Sequence, residues 1–65
     1  MDFKHLEIFV SLVESKSFSQ TAVDLGLSQP TISSSIKQLE EEIDAPLFIR
    51  STREIHVTDL GEELY

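Results

Sequence analysis

Ser28-Gln29-Pro30-Thr31-Ile32-Ser33-Ser34-Ser35-Ile36-Lys37-Gln38-Leu39 is the stretch on which the fold turns. Ser28 has the chemistry of a helix N-cap, because its hydroxyl can accept from a backbone N–H in the first turn. Pro30 follows in that turn, where a missing N–H leaves no bond unmade. Ile32, Ile36, Leu39 and Ile43 then recur at helical spacing as one apolar stripe. Glu40-Glu41-Glu42 carry the helix on to Asp44, and Pro46 stops it. Just upstream, Gly26 suits the left-handed end of a preceding helix. That helix starts at Ser17-Phe18-Ser19-Gln20, a capping-box pattern in which a serine caps and Gln20 reaches back. Ala22, Val23 and Leu25 are its expected apolar face. Two helices joined by a turn as short as Gly26-Leu27-Ser28 form a helix-turn-helix.

Working outward, residues 3–14 read as an amphipathic helix with Phe3, Leu6, Phe9, Val10 and Val13 on its apolar stripe. Ile8 and Leu12 fall off that stripe and stand open as partner-facing or core positions, as does Tyr65. Ser15-Lys16-Ser17 breaks the pattern. Beyond Pro46 the period changes. Leu47-Phe48-Ile49 and Ile55-His56-Val57 are β-leaning runs flanking Arg50-Ser51-Thr52-Arg53-Glu54, which predicts a hairpin. Thr58 is the expected N-cap of a last helix to Tyr65, with acids in its first turn matching the dipole. No C-cap follows, so the chain reads as a truncated piece. The expected fold is mainly α with a small β-hairpin wing: a winged helix-turn-helix of three core helices plus the start of a fourth. It forms one domain over residues 1–65, with the helix-turn-helix at about 18–43, the wing at about 47–57 and the last helix at about 58–65.

Composition narrows the chemistry. A chain of 65 residues buries only about 60% of its unfolded surface, so its stability margin is thin. There is no cysteine, and the two histidines, His5 and His56, lie far apart in sequence, which excludes a disulfide framework and a zinc site of ordinary spacing. Absent cysteine suits a reducing cytosol. No apolar run reaches membrane-spanning length, and Met1-Asp2-Phe3-Lys4 lacks a secretory apolar region. No Gly-x-Ser-x-Gly elbow, phosphate-cradling glycine loop or His-Glu-x-x-His occurs, so an enzyme is not expected and no cofactor or metal is implied. Glu40, Glu41 and Glu42 point in different directions on a helix, cannot converge on one ion, and read as a solvated face. His5 and His56 read as surface residues.

The net charge of −7, from 12 acids against 5 bases, argues at first against a phosphate-bearing partner and for a protein-interaction module. Position reverses that inference. The acids fall as four in residues 1–27, four in 40–44 and four in 54–65. Residues 28–39 and 45–53 hold none, yet contain Lys37, Arg50 and Arg53. Opposite the apolar stripe, the third helix offers Gln29, Thr31, Ser33, Ser34, Ser35 and Lys37. Small hydroxyls and amides near a helix N-terminus admit close approach to a major groove, donate to phosphates and read base edges. An ordinary solvated helix face is the alternative, but three consecutive serines are poor filler for one. Arg50 and Arg53, at the expected hairpin tip, suit flanking phosphates or the minor groove.

The whole pattern resembles the N-terminal domain of LysR-type transcriptional regulators. The residues that carry the resemblance are Leu6 and Phe9; Ser17-Phe18-Ser19-Gln20-Thr21-Ala22; Leu25-Gly26-Leu27-Ser28-Gln29-Pro30-Thr31-Ile32-Ser33; Ile36-Lys37-Gln38-Leu39-Glu40; Pro46-Leu47-Phe48-Ile49-Arg50; and Thr58-Asp59-Leu60-Gly61. The resemblance implies a bacterial, cytoplasmic regulator that binds a double-stranded DNA operator as a homodimer or tetramer. A small-molecule effector would act through a domain outside this chain, and the last helix would start a linker helix. Two-fold symmetry would make the operator roughly palindromic, with half-sites about one helical turn apart or a multiple. It also implies that Gln29, Pro30, Thr31 and Ser33 begin the DNA-contacting helix; Ser28, Ser34 and Lys37 join the expected DNA-binding set from the residue reading of the same helix. Arg50 and Arg53 match basic wing positions, and Ser17 and Ser19 start the helix whose terminal amides hold a phosphate. Phe9, Ala22, Leu25, Ile36, Leu39, Leu47 and Phe48 match core positions. Two residues depart from the family pattern: Ser34 stands where arginine is frequent, and Asp44 where glycine is common.

Overall fold

The computed structural model describes residues 2–50 and 55–65. In chain order the elements are α1 (Phe3–Ser15), α2 (Phe18–Leu25), α3 (Gln29–Ile43), β1 (Phe48–Arg50), β2 (Ile55–Val57) and α4 (Asp59–Leu64). Helices α1, α2 and α3 pack pairwise against one another, and the two strands form an antiparallel hairpin beside them. Its register pairs Phe48 with Val57, Ile49 with His56, and Arg50 with Ile55. This is the expected winged helix-turn-helix layout.

Each helix starts at a side-chain cap. Asp2, Ser17, Ser28 and Thr58 accept from the backbone N–H three residues on, namely those of His5, Gln20, Thr31 and Gly61. Three of those four caps are the ones expected from sequence. The capping box of α2 is only half formed. Ser17 accepts from the Gln20 N–H, but the Gln20 amide turns outward to Asp24 at 2.7 Å. The Ser17 N–H goes instead to Ser15 Oγ at 3.1 Å. At their far ends, Gly26 closes α2 at φ 67°, while Lys16 and Asp44 close α1 and α3 at φ 56°. Helix α3 therefore ends at Ile43, ahead of Pro46, with Asp44 as its left-handed cap.

The core joins Ile8, Phe9 and Leu12 of α1, Ala22 of α2, Ile32, Ile36 and Leu39 of α3, then Leu47 and Phe48. Phe48 meets Phe9 edge to face, with ring centroids 5.7 Å apart. The buried face of α1 differs from the expected one. Ile8 and Leu12 are fully buried, whereas Phe3 is 83% exposed and Val10 is on the surface. With Ile8-Phe9-Val10 and Leu12-Val13 both apolar, periodicity fits two adjacent faces, and packing on α2 and α3 selects the one through residues 5, 8, 9 and 12. His5 lies on that face, so it is half-buried rather than a surface residue, with Nδ1 4.0 Å from an Asp2 carboxylate oxygen.

Two further expectations shift. Val23 of α2 is 75% exposed, and its place on the inner face is taken by Thr21, which is fully buried. The Thr21 hydroxyl is satisfied by Ser15 Oγ at 2.8 Å, so burial leaves no orphaned polar group. Glu40 is not simply solvated. Its Oε2 accepts from the N–H groups of Leu47 (2.7 Å) and Phe48 (3.2 Å), tying the start of the hairpin to α3. Thr58 completes the tie: its N–H donates to the Leu47 carbonyl at 2.9 Å and its hydroxyl to the Pro46 carbonyl at 2.9 Å. Tyr65 then closes α4 onto α1, its hydroxyl donating to Glu14 at 2.8 Å.

Candidate nucleic-acid interface

The N-terminal half of α3 owes its position to local chemistry. Gly26 in the left-handed region turns the chain out of α2, and Leu27 N–H still donates to the Ala22 carbonyl at 2.9 Å. Ser28 then caps α3, accepting from Thr31 N–H at 3.3 Å and sharing a bond with the Thr31 hydroxyl at 2.9 Å. Because Ile32, Ile36 and Leu39 are buried, the opposite side of the helix is held outward.

Gln29, Pro30, Thr31, Ser34 and Lys37 are exposed, and Ser33 is half-buried. Ser35 is not on this surface. It is only 8% exposed, because it sits three residues after Ile32 and one before Ile36, inside the stripe that faces the core. Ser17 and Ser19, at the start of α2, share a hydroxyl–hydroxyl bond of 3.1 Å. Arg53 lies outside the described residues.

Arg50, the last residue of β1, does not project away as a wing-tip charge. Its guanidinium carbon lies 4.3 Å from the ring centroid of Phe18, the first residue of α2. Its Nη2 donates to Ser33 Oγ across 3.4 Å. Phe18, Gln29, Pro30, Ser33 and Arg50 line one shallow cleft that contains no carboxylate. The site thus gathers α2, α3 and β1, and Phe18 belongs to it although its sequence context marked only a cap. Lys37 has a different setting. It shares a cleft with Glu40, Glu41 and Asp44, so the acids of the next turns of α3 and of its C-cap come to the edge of the same helix face. Among the described residues, no group of three His, Asp or Glu is placed to hold a metal ion, and no helix is long and apolar enough to cross a membrane.

Residues 3–62 match the model of the bacterial regulatory helix-turn-helix proteins of the lysR family. The transcriptional regulator CitR of Bacillus subtilis is 51% identical over 61 residues, spanning 94% of this chain and 21% of CitR. The regulator BudR of Raoultella terrigena is 43% identical over 65 residues, all of this chain and 22% of BudR. The chain therefore spans about a fifth of the length of these relatives. The crystal structure of the BenM DNA-binding domain in complex with catB site 1 DNA superposes with a TM-score of 0.95 at 38% identity, covering 100% of this chain and 73% of that one. Full-length OxyR C199D of Pseudomonas aeruginosa gives a TM-score of 0.92 at 33% identity over 98% of this chain and 21% of that one. The fold and these likenesses agree, and the chain belongs to the lysR family of bacterial helix-turn-helix regulators.

Proposed function

We propose that this chain binds duplex DNA sequence-selectively, with the first turns of α3 entering the major groove. The observation that carries the reading is the exposed, carboxylate-free start of α3, Gln29 to Ser34, set as the second helix of a helix-turn-helix. The BenM domain, at 38% identity, is in complex with DNA in its crystal structure, which supports the same reading here. Gln29, Thr31, Ser33 and Ser34 read base edges, with Pro30 holding the first turn close. Ser17, Ser19, Ser28 and Lys37 serve the phosphates. Arg50 and Arg53 hold the flanking backbone or minor groove. The domain acts without catalysis, within a longer cytoplasmic regulator that pairs as a homodimer or tetramer and receives its small-molecule signal through another domain.

Selection from a random duplex pool, followed by anisotropy titration, tests the reading. The expected result is an enriched motif whose preference changes on Ser33→Ala. Arg53→Ala weakens all sequences alike and reduces the log–log salt slope by about 1. No enrichment and no affinity at low salt, even for a dimerised chain, would overturn it.

A further inference from the structure

A base-facing helix with short side chains needs its positive charge supplied from elsewhere. After Ser28, α3 presents Gln29, Thr31, Ser33 and Ser34, and no cation precedes Lys37, whose cleft is shared with Glu40, Glu41 and Asp44. Among the described residues, a guanidinium comes to the start of α3 from Arg50, which arrives from β1 and reaches Ser33 Oγ at 3.4 Å. A contact of that length is weak by itself. Beneath the guanidinium lies the Phe18 ring, 4.3 Å away. Phe18 is half-buried and packed against the core, so its ring is a fixed platform rather than a mobile neighbour.

We propose that Phe18 is a positioning residue for DNA recognition: its ring holds the Arg50 guanidinium against α3, so that β1 supplies the cation that the start of α3 lacks. The inference rests on the DNA-binding reading above and adds to it a role for a residue that acts through Arg50. An arginine side chain carries considerable rotamer freedom, which binding must otherwise quench. A stack on an aromatic face removes that freedom beforehand while leaving the N–H donors to hydrogen-bond elsewhere.

The test uses Phe18→Leu, Phe18→Tyr and Arg50→Ala, alone and as the double variant Phe18→Leu with Arg50→Ala. Each is titrated with a labelled duplex that the wild-type chain enriches from a random pool. Phe18→Leu is expected to weaken binding about 2- to 5-fold with an unchanged salt slope, because the charge remains. Phe18→Tyr, which keeps the ring, restores wild-type affinity. Arg50→Ala lowers the slope by about 1, and adding Phe18→Leu to it costs nothing more. In the free chain, the Arg50 side-chain proton resonances are expected upfield of their positions in Phe18→Leu, through the ring current. Equal weakening by Phe18→Leu with and without Arg50, unimpaired binding by Phe18→Leu, or absence of the upfield shift would each overturn the proposal. The NMR arm stands on the wild-type spectrum even where a variant folds poorly. A wild-type chain that enriches no duplex removes the DNA reading and this proposal together, whereas normal binding by Phe18→Leu removes this proposal alone.

Discussion

Lys16 and Asp44 each occupy the left-handed region at φ 56°, a conformation that an L side chain enters at a cost. Aspartate tolerates it better than lysine, since a short polar side chain can bond locally. Lys16→Gly is therefore expected to raise stability by about 0.5–1 kcal/mol, the relief of strain exceeding the added freedom of the unfolded chain. Urea unfolding of the two proteins checks this. Glu40 carries the opposite expectation. Its removal in Glu40→Ala leaves the Leu47 and Phe48 N–H groups without their acceptor and costs about 1–3 kcal/mol by the same measurement. At the start of α1, Asp2 accepts from the His5 N–H, which holds its carboxyl below the ordinary range. A depressed folded value means that its stabilisation is present above the unfolded carboxylate pKa and is lost as pH falls through the folded one. Asp2→Asn keeps the cap but not the titration, so the difference between the two proteins' stabilities should shrink on the acid side alone.

Among the elements, α4 is bound most tightly at its start. A Cβ on Gly61 would lie 2.7 Å from the Leu47 carbonyl oxygen and 2.7 Å from Val57 Cγ1. The Leu47 carbonyl cannot yield freely, since it already accepts from Thr58. Gly61→Ala is expected to destabilise by about 1–3 kcal/mol, read by thermal unfolding. At the other end of α4, the Glu14 carboxylate accepts from the Tyr65 hydroxyl and raises the pKa of that phenol. Its stabilisation is full below the unfolded phenol value and is lost as pH rises through the folded one. Tyr65→Phe should remove that alkaline decline. Elements whose signals are local were legible in sequence: the caps at Ser17, Ser28 and Thr58, the turn at Gly26 and the stripe of α3 all depend on neighbours within four residues. The inner face of α1 was not, because its apolar residues fit two faces and only α2 and α3 choose between them. Nor were the Glu40 and Phe18 contacts, which exist only after the chain reverses past Pro46 and carries Leu47 and Arg50 back to the helices.

Over the whole molecule, the charge of −7 and the carboxylate-free cleft at Arg50 coexist because the fold sorts what the sequence had partly sorted. Sorting is incomplete at Lys37, which shares its cleft with the acids Glu40 and Glu41 of the same helix and Asp44 of its cap. On the proposed function few cations face the duplex, and about three released counterions per protomer are expected to give a log–log salt slope near −3, measurable by titration over a range of salt. The candidate residues of α3 could be read from their types and spacing, except Ser35, whose burial follows from a stripe wider than its isoleucines mark.

The knot of bonds around Leu47 has a mechanical meaning. Glu40 grips the start of β1 from α3, Thr58 grips Pro46 and Leu47 from the root of α4, and Gly61 lets the α4 backbone press against them. No lever arm in this arrangement swings alone. A torque applied to α4 passes through Leu47 into β1, at whose far end Arg50 rests on Phe18. The direction in which α4 leaves the body is thus geared, through Leu47, to the place that Arg50 takes on Phe18.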